Sequence, residues 1–328
     1  MPNKTQLLGI SNAIVDILVH VDDAFLERIG SEPGSMTLVD AERAREIYAM
    51  IGPAVEMSGG SVGNSIAAFA NLGGRAAYIG RVADDEFGRV FHHDMTAIGI
   101  DVRLPPETRE APTAHSLILI APDGQRTMHT YLGACTEIAP GDVTPATVGE
   151  PDYLLLEGYL WDTPHGPAAV AKAVDLAKRG GTVVALSLSD AFCVERHRAA
   201  FRELTETHAG IVVGNETEIV SLFEAEDFDT AVAAASNLPP TFALTRSERG
   251  SVIVQGPARV DVAAEPVDKV VDTTGAGDAW TAGFLYGIAE GHTLEQAAQL
   301  GSRMAAAVIQ QIGPRFQQPL TALATGAS

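Results

Sequence analysis

Short apolar runs alternate with segments of helical apolar spacing over most of the chain, and this alternation is the βα signature of a parallel sheet covered on both faces. The strand candidates are Ala76 to Val82, Tyr153 to Leu156, Val183 to Leu188, Ile211 to Val213 and Thr241 to Thr245. The last three are almost continuously apolar, as strands buried on both sides must be. Between them, Phe87, Val90, Phe91, Met95 and Ile98 fall on one helical face that Gly99 terminates. A second helix is expected from about Pro164 to Lys178, stopping at Gly180-Gly181. The fold class is therefore α/β. With no linker, repeat or composition shift in 328 residues, one domain over 1–328 is expected.

Two stretches interrupt the rhythm. The apolar run Ile10 to Val21 is followed by a turn-rich loop at Gly30-Ser31-Glu32-Pro33-Gly34-Ser35. Thr113 to Ile120 and Arg126 to Leu132 flank Pro122-Asp123-Gly124 and read as a β-hairpin. Extra strands inserted in an α/β chain are either decoration or a cover over its site. The segments that would build a cover are about 12–40 and 100–134.

Charge narrows the partners. The 42 acidic against 22 basic residues give a formal net charge of −20, which repels phosphate backbones and anionic lipid, so neither nucleic acid nor a membrane is expected as a partner. Any nucleotide site must be made positive locally, by helix N-termini, a metal ion and a few placed cations. Cys135 and Cys193 supply neither a disulfide framework nor zinc-type spacing and read as small buried residues. The opening Met-Pro-Asn-Lys-Thr has no apolar signal core and no run reaches membrane-span length, so the expected compartment is the cytoplasm.

Four segments carry the chemistry. In Asp272-Thr273-Thr274-Gly275-Ala276-Gly277-Asp278, glycines precede the apolar helix Ala279 to Ile288. Glycines there let several N–H groups converge, and the helix dipole adds positive potential, which suits an anion such as a phosphoryl group in transfer. Asp278 in the first turn is placed to accept a hydroxyl proton, although an ordinary aspartate pKa near 3.9 makes it a weak base. The plainer alternative is a glycine-rich turn with a capping Asp. In Gly59-Gly60-Ser61-Val62-Gly63-Asn64, opening a helix from Asn64 to Leu72, paired glycines admit a ligand close to the backbone, and Asn64 either binds hydroxyls or caps the helix. Asn215-Glu216-Thr217-Glu218 follows a strand end, where α/β sheets bind ligands. A single Glu there suffices for magnesium, while Asn215 as a helix cap is the alternative. Thr245-Arg246-Ser247-Glu248-Arg249-Gly250 also ends a strand, with hydroxyls suited to nucleotide phosphates or ribose. No Gly-Lys pair exists, so a Walker-type loop is excluded. Gly275-Ala276-Gly277 continues to Trp280 where a dinucleotide fingerprint needs a third Gly or Ala.

In this order the four segments resemble the PfkB, or ribokinase-like, family of carbohydrate and nucleoside kinases over nearly the whole chain. The segment with Gly59, Gly60 and Asn64 is similar to the family's first signature, and Asp272 to Asp278 continuing to Gly283 to its second. The resemblance implies a three-layer α/β/α sandwich with a small β-sheet lid. It implies ATP and Mg2+, Asp278 as base, and the N–H groups of Gly275, Ala276 and Gly277 as an anion hole. It further implies that Asn12, Asp16, Gly59, Gly60 and Asn64 hold the acceptor, with Arg126 of the lid closing near the transferred phosphoryl. Asn215 and Glu218 would organise magnesium and phosphate, Glu218 through water, and Thr245, Ser247 and Gly250 would hold the nucleotide. K+ or another monovalent cation is implied beside Asp272, Thr274 and the segment toward Gly313. Similar proteins are often homodimers through lid strands. Two positions depart from the pattern: Ser247 stands where a Gly is usual, and Gly313-Pro314-Arg315 replaces a common Gly-Ala-Arg.

Asn12-Ala13-Ile14-Val15-Asp16, with Phe25-Leu26 and the Gly34 to Leu38 loop, looks like the start of adenosine kinases, so an adenosine-like nucleoside is the favoured acceptor. Met36, Leu38, Leu132 and Phe192 are candidate purine walls or ordinary packing. A ribose, fructose or ketodeoxygluconate acceptor is the alternative within this chemistry, since those kinases also use an acid near Asp16. A binding module that kept the fold and lost catalysis is the rival outside it, with Ser247 its one supporting feature. His92, His93, His115, His129, His165 and His197 lack metal-ligand spacing, Trp161 and Trp280 read as packing, and Glu224, Glu226, Asp227 and Asp229 as a solvated loop.

Overall fold

The computed structural model describes residues 4–324. Among them a nine-stranded sheet runs in the order Ala258–Val262, Ser251–Gln255, Thr241–Thr245, Ala209–Asn215, Val183–Ser187, Tyr153–Glu157, Leu7–Ile10, Ala76–Ile79 and Asp101–Val102. From Thr241–Thr245 onward the strands are parallel; at the other edge Ser251–Gln255 runs against them and pairs antiparallel with both of its neighbours. All five expected strands lie in this sheet, with the Ala76 strand ending at Ile79 and not Val82.

Alternate residues of the central strands enter separate cores. Leu154, Leu156, Leu186, Phe242 and Leu244 pack into one, and Leu155, Ala185 and Ala243 into the other. This is why the runs are continuously apolar: both faces of the sheet are covered by helices, which gives the three layers. A fully buried leucine contributes about 1.5–3 kcal/mol to such a core. Helix Glu86–Ala97 buries Phe91 and Met95, while Ile98 lies just past its end and is 37% exposed. Helix Gly166–Gly180 stops at Gly181, as its paired glycines indicate.

The second sheet has five strands, in the order Met36–Leu38, Arg126–Tyr131, Ala114–Ile120, Ile14–His20 and Val55–Ser58. Ala114–Ile120 and Arg126–Tyr131 form the antiparallel hairpin read from the sequence. Val55–Ser58 joins this sheet although it lies outside both inserted segments, and Asp101–Val102 belongs to the large one. The apolar run from residue 10 is not one strand. Leu7–Ile10 sits in the large sheet, the chain crosses over at 11–13, and Ile14–His20 enters the small one.

Candidate active site

Helix Ala276–Ala289 points its N-terminus at a cleft of about 390 Å³ lined by Ser61, Ser187, Asn215, Glu218, Thr245 and Asp278 among others. The helix can approach its neighbour Leu294–Val308 closely because a side chain on Gly283 would come within 2.8 Å of the Gly301 backbone. Gly275 caps it in the left-handed conformation (φ 76°), and Asp278 occupies its first turn. The Ala276 N–H turns back to the Thr273 carbonyl at 3.2 Å, so of the three amides expected to face an anion it is the one already engaged. The N–H groups of Gly275 and Gly277 have no acceptor among the described residues. A Cβ added to Gly277 would meet nothing within 4 Å, so the space in front of this helix end is open.

Asp278 is fixed from the neighbouring helix Ser61–Asn71: Ser61 Oγ donates to Oδ1 at 2.8 Å and Asn64 Nδ2 to Oδ2 at 2.9 Å. Burial raises the Asp278 pKa to about 6, opposed by those two hydrogen bonds and by the Arg315 charge. The carboxylate is thus a stronger base than the ordinary aspartate the sequence suggests, and still ionised at pH 7. Asn64 is not a cap. The helix begins three residues before it, at Ser61, because Gly60 takes φ 83° and turns the chain into the first turn. Asn64 Oδ1 and Asn12 Oδ1 are both buried without a hydrogen-bond partner among the described residues, an expensive state for a polar atom.

Asp16, on the small sheet, is 8% exposed, and burial lifts its pKa to about 7 against the lowering effect of Arg315. Gly59 makes room for it, since a Cβ there would come within 2.4 Å of the Asp16 carboxyl. Asn12, Asp16, Gly59, Gly60 and Asn64 are thereby gathered where the chain passes between the two sheets.

Across the cleft, Asn215 and Thr245 are register partners at adjacent strand ends. Asn215 does cap the following helix: its Oδ1 accepts from Glu218 N at 3.0 Å, while Glu218 receives the Asn215 N–H at 3.0 Å and Nδ2 at 2.5 Å. Burial raises the Glu218 pKa to about 7. Ser247 and Gly250 lie beyond the strand end, outside the residues lining the cleft. Ser247 adopts φ 52°, the left-handed region where a Gly is at ease, so the loop keeps that shape at a cost of about 1 kcal/mol for the serine. Among the described residues no three His, Cys, Asp or Glu form a metal cluster.

Arg126 reaches from the hairpin to the Asp272 carboxylate and Thr274 Oγ1, just before the glycines of the anion loop. Asp272 also accepts from Thr274 N at 2.7 Å and Gly313 N at 2.6 Å.

Sequence reasoning misses Glu157, Ser61 and Ser11. Glu157 ends a central strand, is 1% exposed, and accepts from Ser11 Oγ (2.7 Å), Asn12 N (2.8 Å) and Val62 N (3.2 Å). It pins the crossover segment to the start of helix Ser61–Asn71, and burial lifts its pKa to about 7. The signal was present: one acid closing the apolar run Tyr153 to Leu156, at the end of the strand that faces ligands in such sheets. Arg315 is buried too, donating to the Ser58 and Gly63 carbonyls at 2.7 and 2.8 Å. Of the candidate purine walls, Met36, Leu38 and Phe192 are exposed. Cys135 and Cys193 are free and buried, and Trp280 stacks on Phe284. No helix among the described residues is long and apolar enough to cross a membrane.

Known proteins share this arrangement. The crystal structure of adenosine kinase from Sinorhizobium meliloti superposes with a TM-score of 0.92 at 46% identity, covering 99% of this chain and 100% of that one. A probable sugar kinase from Rhizobium etli CFN 42 gives 0.91 at 42% identity, covering 99% of each chain. Adenosine kinase 2 of Arabidopsis thaliana is 26% identical over 95% of this chain and 96% of its own length. The pattern of the pfkB family carbohydrate kinases matches residues 34–321. The chain belongs to that family, whose members are ATP-dependent phosphotransferases acting on a hydroxyl of a sugar or nucleoside.

Proposed function

We propose that this protein phosphorylates a hydroxyl of an adenosine-like nucleoside, with Asp278 as the base. The observation that carries the reading is the meeting of a half-buried carboxylate and a helix N-terminus with open amides at one cleft, with the orphaned amide oxygen of Asn64 on a side chain that donates to that same carboxylate. In this reading Asn12, Asp16 and Asn64 accept hydrogen bonds from the acceptor's hydroxyls, and Gly59 and Gly60 let it approach the backbone. Asp278 takes the proton of the attacking hydroxyl as its oxygen bonds to the terminal phosphorus of ATP. The bond to the bridging oxygen breaks and ADP leaves. The amides of Gly275 and Gly277 stabilise charge on the phosphoryl oxygens. Thr245 and Asn215 border the nucleotide phosphates, with Ser247 and Gly250 shaping the loop beyond them.

Both Glu218 oxygens are already used by the Asn215 cap, so this carboxylate fits a magnesium ion held through its water shell. Bound with the phosphates, that ion supplies charge neutralisation. The small sheet serves as the lid, carrying Asp16 and Arg126 to the site. The buried free cysteines suit a reducing compartment such as the cytoplasm.

Adenosine leads because the Sinorhizobium meliloti relative carries that name at 46% identity. The Rhizobium etli relative keeps a sugar acceptor as the second reading. A coupled assay for ADP release across adenosine, other nucleosides, ribose, fructose and sugar acids decides between them. A preference for a free sugar removes the nucleoside reading, and no ADP release with any acceptor removes the kinase reading for this chain.

Two variants probe the parts separately. Gly277→Ala places a methyl in open space at a helical position, where Ala is favoured by about 1 kcal/mol. Thermal stability should hold or rise, while turnover falls about tenfold or more as the methyl displaces the phosphoryl group. A variant that is stable and fully active would show that nothing reacts there. Glu157→Gln sets an amide N–H against one of three donors. It should raise the KM for the acceptor roughly tenfold through Asn12, with the KM for ATP almost unchanged. Equal losses for both substrates would mark Glu157 as a general structural residue.

A further inference from the structure

We propose that the Arg126 guanidinium is the resident counter-cation of Asp272, so that the anion loop is held in shape without a monovalent metal ion. The inference rests on the kinase reading above and concerns the site where the family resemblance implies potassium. The residues present do not fit such an ion.

Asp272 is wholly buried, and both of its oxygens are in use. Oδ1 receives Thr274 N and Arg126 Nη1, and Oδ2 receives Gly313 N. A monovalent cation within reach of this carboxylate would stand within ion-pair distance of the guanidinium, where like charges repel and little water screens them. The nearby carbonyls are engaged as well. Ile309 O accepts from Val271 N (2.8 Å) and Asp272 N (3.1 Å), and Thr273 O from Ala276 N (3.2 Å). Gln311 Nε2 donates to Gly313 O at 3.3 Å and to Arg315 O at 2.7 Å. A side-chain amide and a guanidinium thus supply the positive partners that oxygen ligands would otherwise find in a metal ion.

Arg126 then acts through Asp272 and Thr274 on the amides of Gly275 and Gly277, which makes it a positioning residue. Because it belongs to the hairpin, the same ion pair ties the small sheet to the anion loop.

The test compares tetramethylammonium chloride with potassium chloride at fixed ionic strength, reading both ADP release and thermal melting. For the unaltered protein, potassium should change kcat/KM by less than about twofold and leave the melting temperature where it was. Activation by potassium of about tenfold or more, or a clear potassium-specific rise in melting temperature, overturns the proposal. Arg126→Met uncovers the carboxylate and should lose activity, regain part of it in potassium, and melt higher in potassium than in tetramethylammonium. A folded Arg126→Met protein indifferent to potassium in both readouts also overturns it. If that variant does not fold, the unaltered protein alone decides. If no acceptor is phosphorylated at all, the kinase reading falls while the melting comparison still settles the cation question.

Discussion

Asp278→Asn is expected to lower turnover by about 10²–10⁴-fold while leaving nucleotide affinity nearly intact. The amide is the same shape as the carboxylate, so the helix start and the open space before Gly277 are preserved. The hydrogen bonds are not all preserved. Ser61 Oγ and Asn64 Nδ2 both donate to the carboxylate, and an asparagine offers only one acceptor oxygen to the pair. One donor is left facing an NH2 group and the attraction of Arg315 for the charge is lost, both of which cost some stability; but the burial penalty of the carboxylate and its repulsion of Asp16 are relieved. A modest change in melting temperature with a large loss of kcat is therefore the expected signature. Turnover within a few-fold of the original would remove Asp278 from the chemistry, whatever the nucleotide affinity. Asp278→Ala is less informative, because it also frees Ser61 and Asn64 to move.

What the sequence revealed depended on how local each signal was. Thr241–Thr245 was found with its full bounds because its burial on both faces shows as an unbroken apolar run. The hairpin around Pro122-Asp123-Gly124 was equally readable, since turn chemistry fixes such a unit within a few residues. The crossover at Ser11-Asn12-Ala13 was not readable. Apolar residues continue on both sides of it, and periodicity cannot tell that one run belongs to two sheets. The helix before Asn64 began early for a related reason: residue type suggests Asn as the cap, whereas Gly60 makes the turn by its positive φ. The glycine-rich segment around Asp278 was legible as chemistry from its own residues, whereas Arg126 and Gly313 entered only through the family resemblance, and Ser61 and Glu157 not at all. All four are remote in sequence, and their convergence is a product of the packing of helices and sheets. Asn215 illustrates the opposite outcome. Its residue type correctly indicated a cap, and the same capping box is what holds Glu218 at the cleft.

The second large effect is with pH, and it should run in opposite directions for activity and for stability. In the proposed reaction, proton abstraction needs Asp278 ionised, and accepting hydrogen bonds from hydroxyls needs Asp16 ionised. Their pKa values are raised to about 6 and about 7, both mainly by burial, and the charge on Asp278 raises Asp16 further. The two therefore titrate as a pair. Between pH 8 and pH 5 kcat/KM should fall by about 100-fold or more, with a limb steeper than one proton. Stability follows the other sign. In the unfolded chain these groups, with Glu157 and Glu218 whose folded values are about 7, return to ordinary carboxylate values. From about pH 4.5 to 7 the folded protein binds more of these protons than the unfolded one, so their contribution to stability is greatest at the acid end and is lost as pH rises through the folded values. Carboxylates whose pKa is lowered by ion pairs, such as Asp162 with Arg196 and Asp261 with Arg259, work the other way below that window; His115 and His129, whose pKa values burial lowers, oppose it near pH 6.5, two groups against four. Denaturant midpoints of the ligand-free protein should thus be higher at pH 5.5 than at pH 8, over the range in which activity is disappearing. Asp16→Asn should remove part of both trends. Activity that stays flat down to pH 5, or a ligand-free protein that gains stability on going from pH 5.5 to 8, would mean that these carboxylates are not buried together at one site.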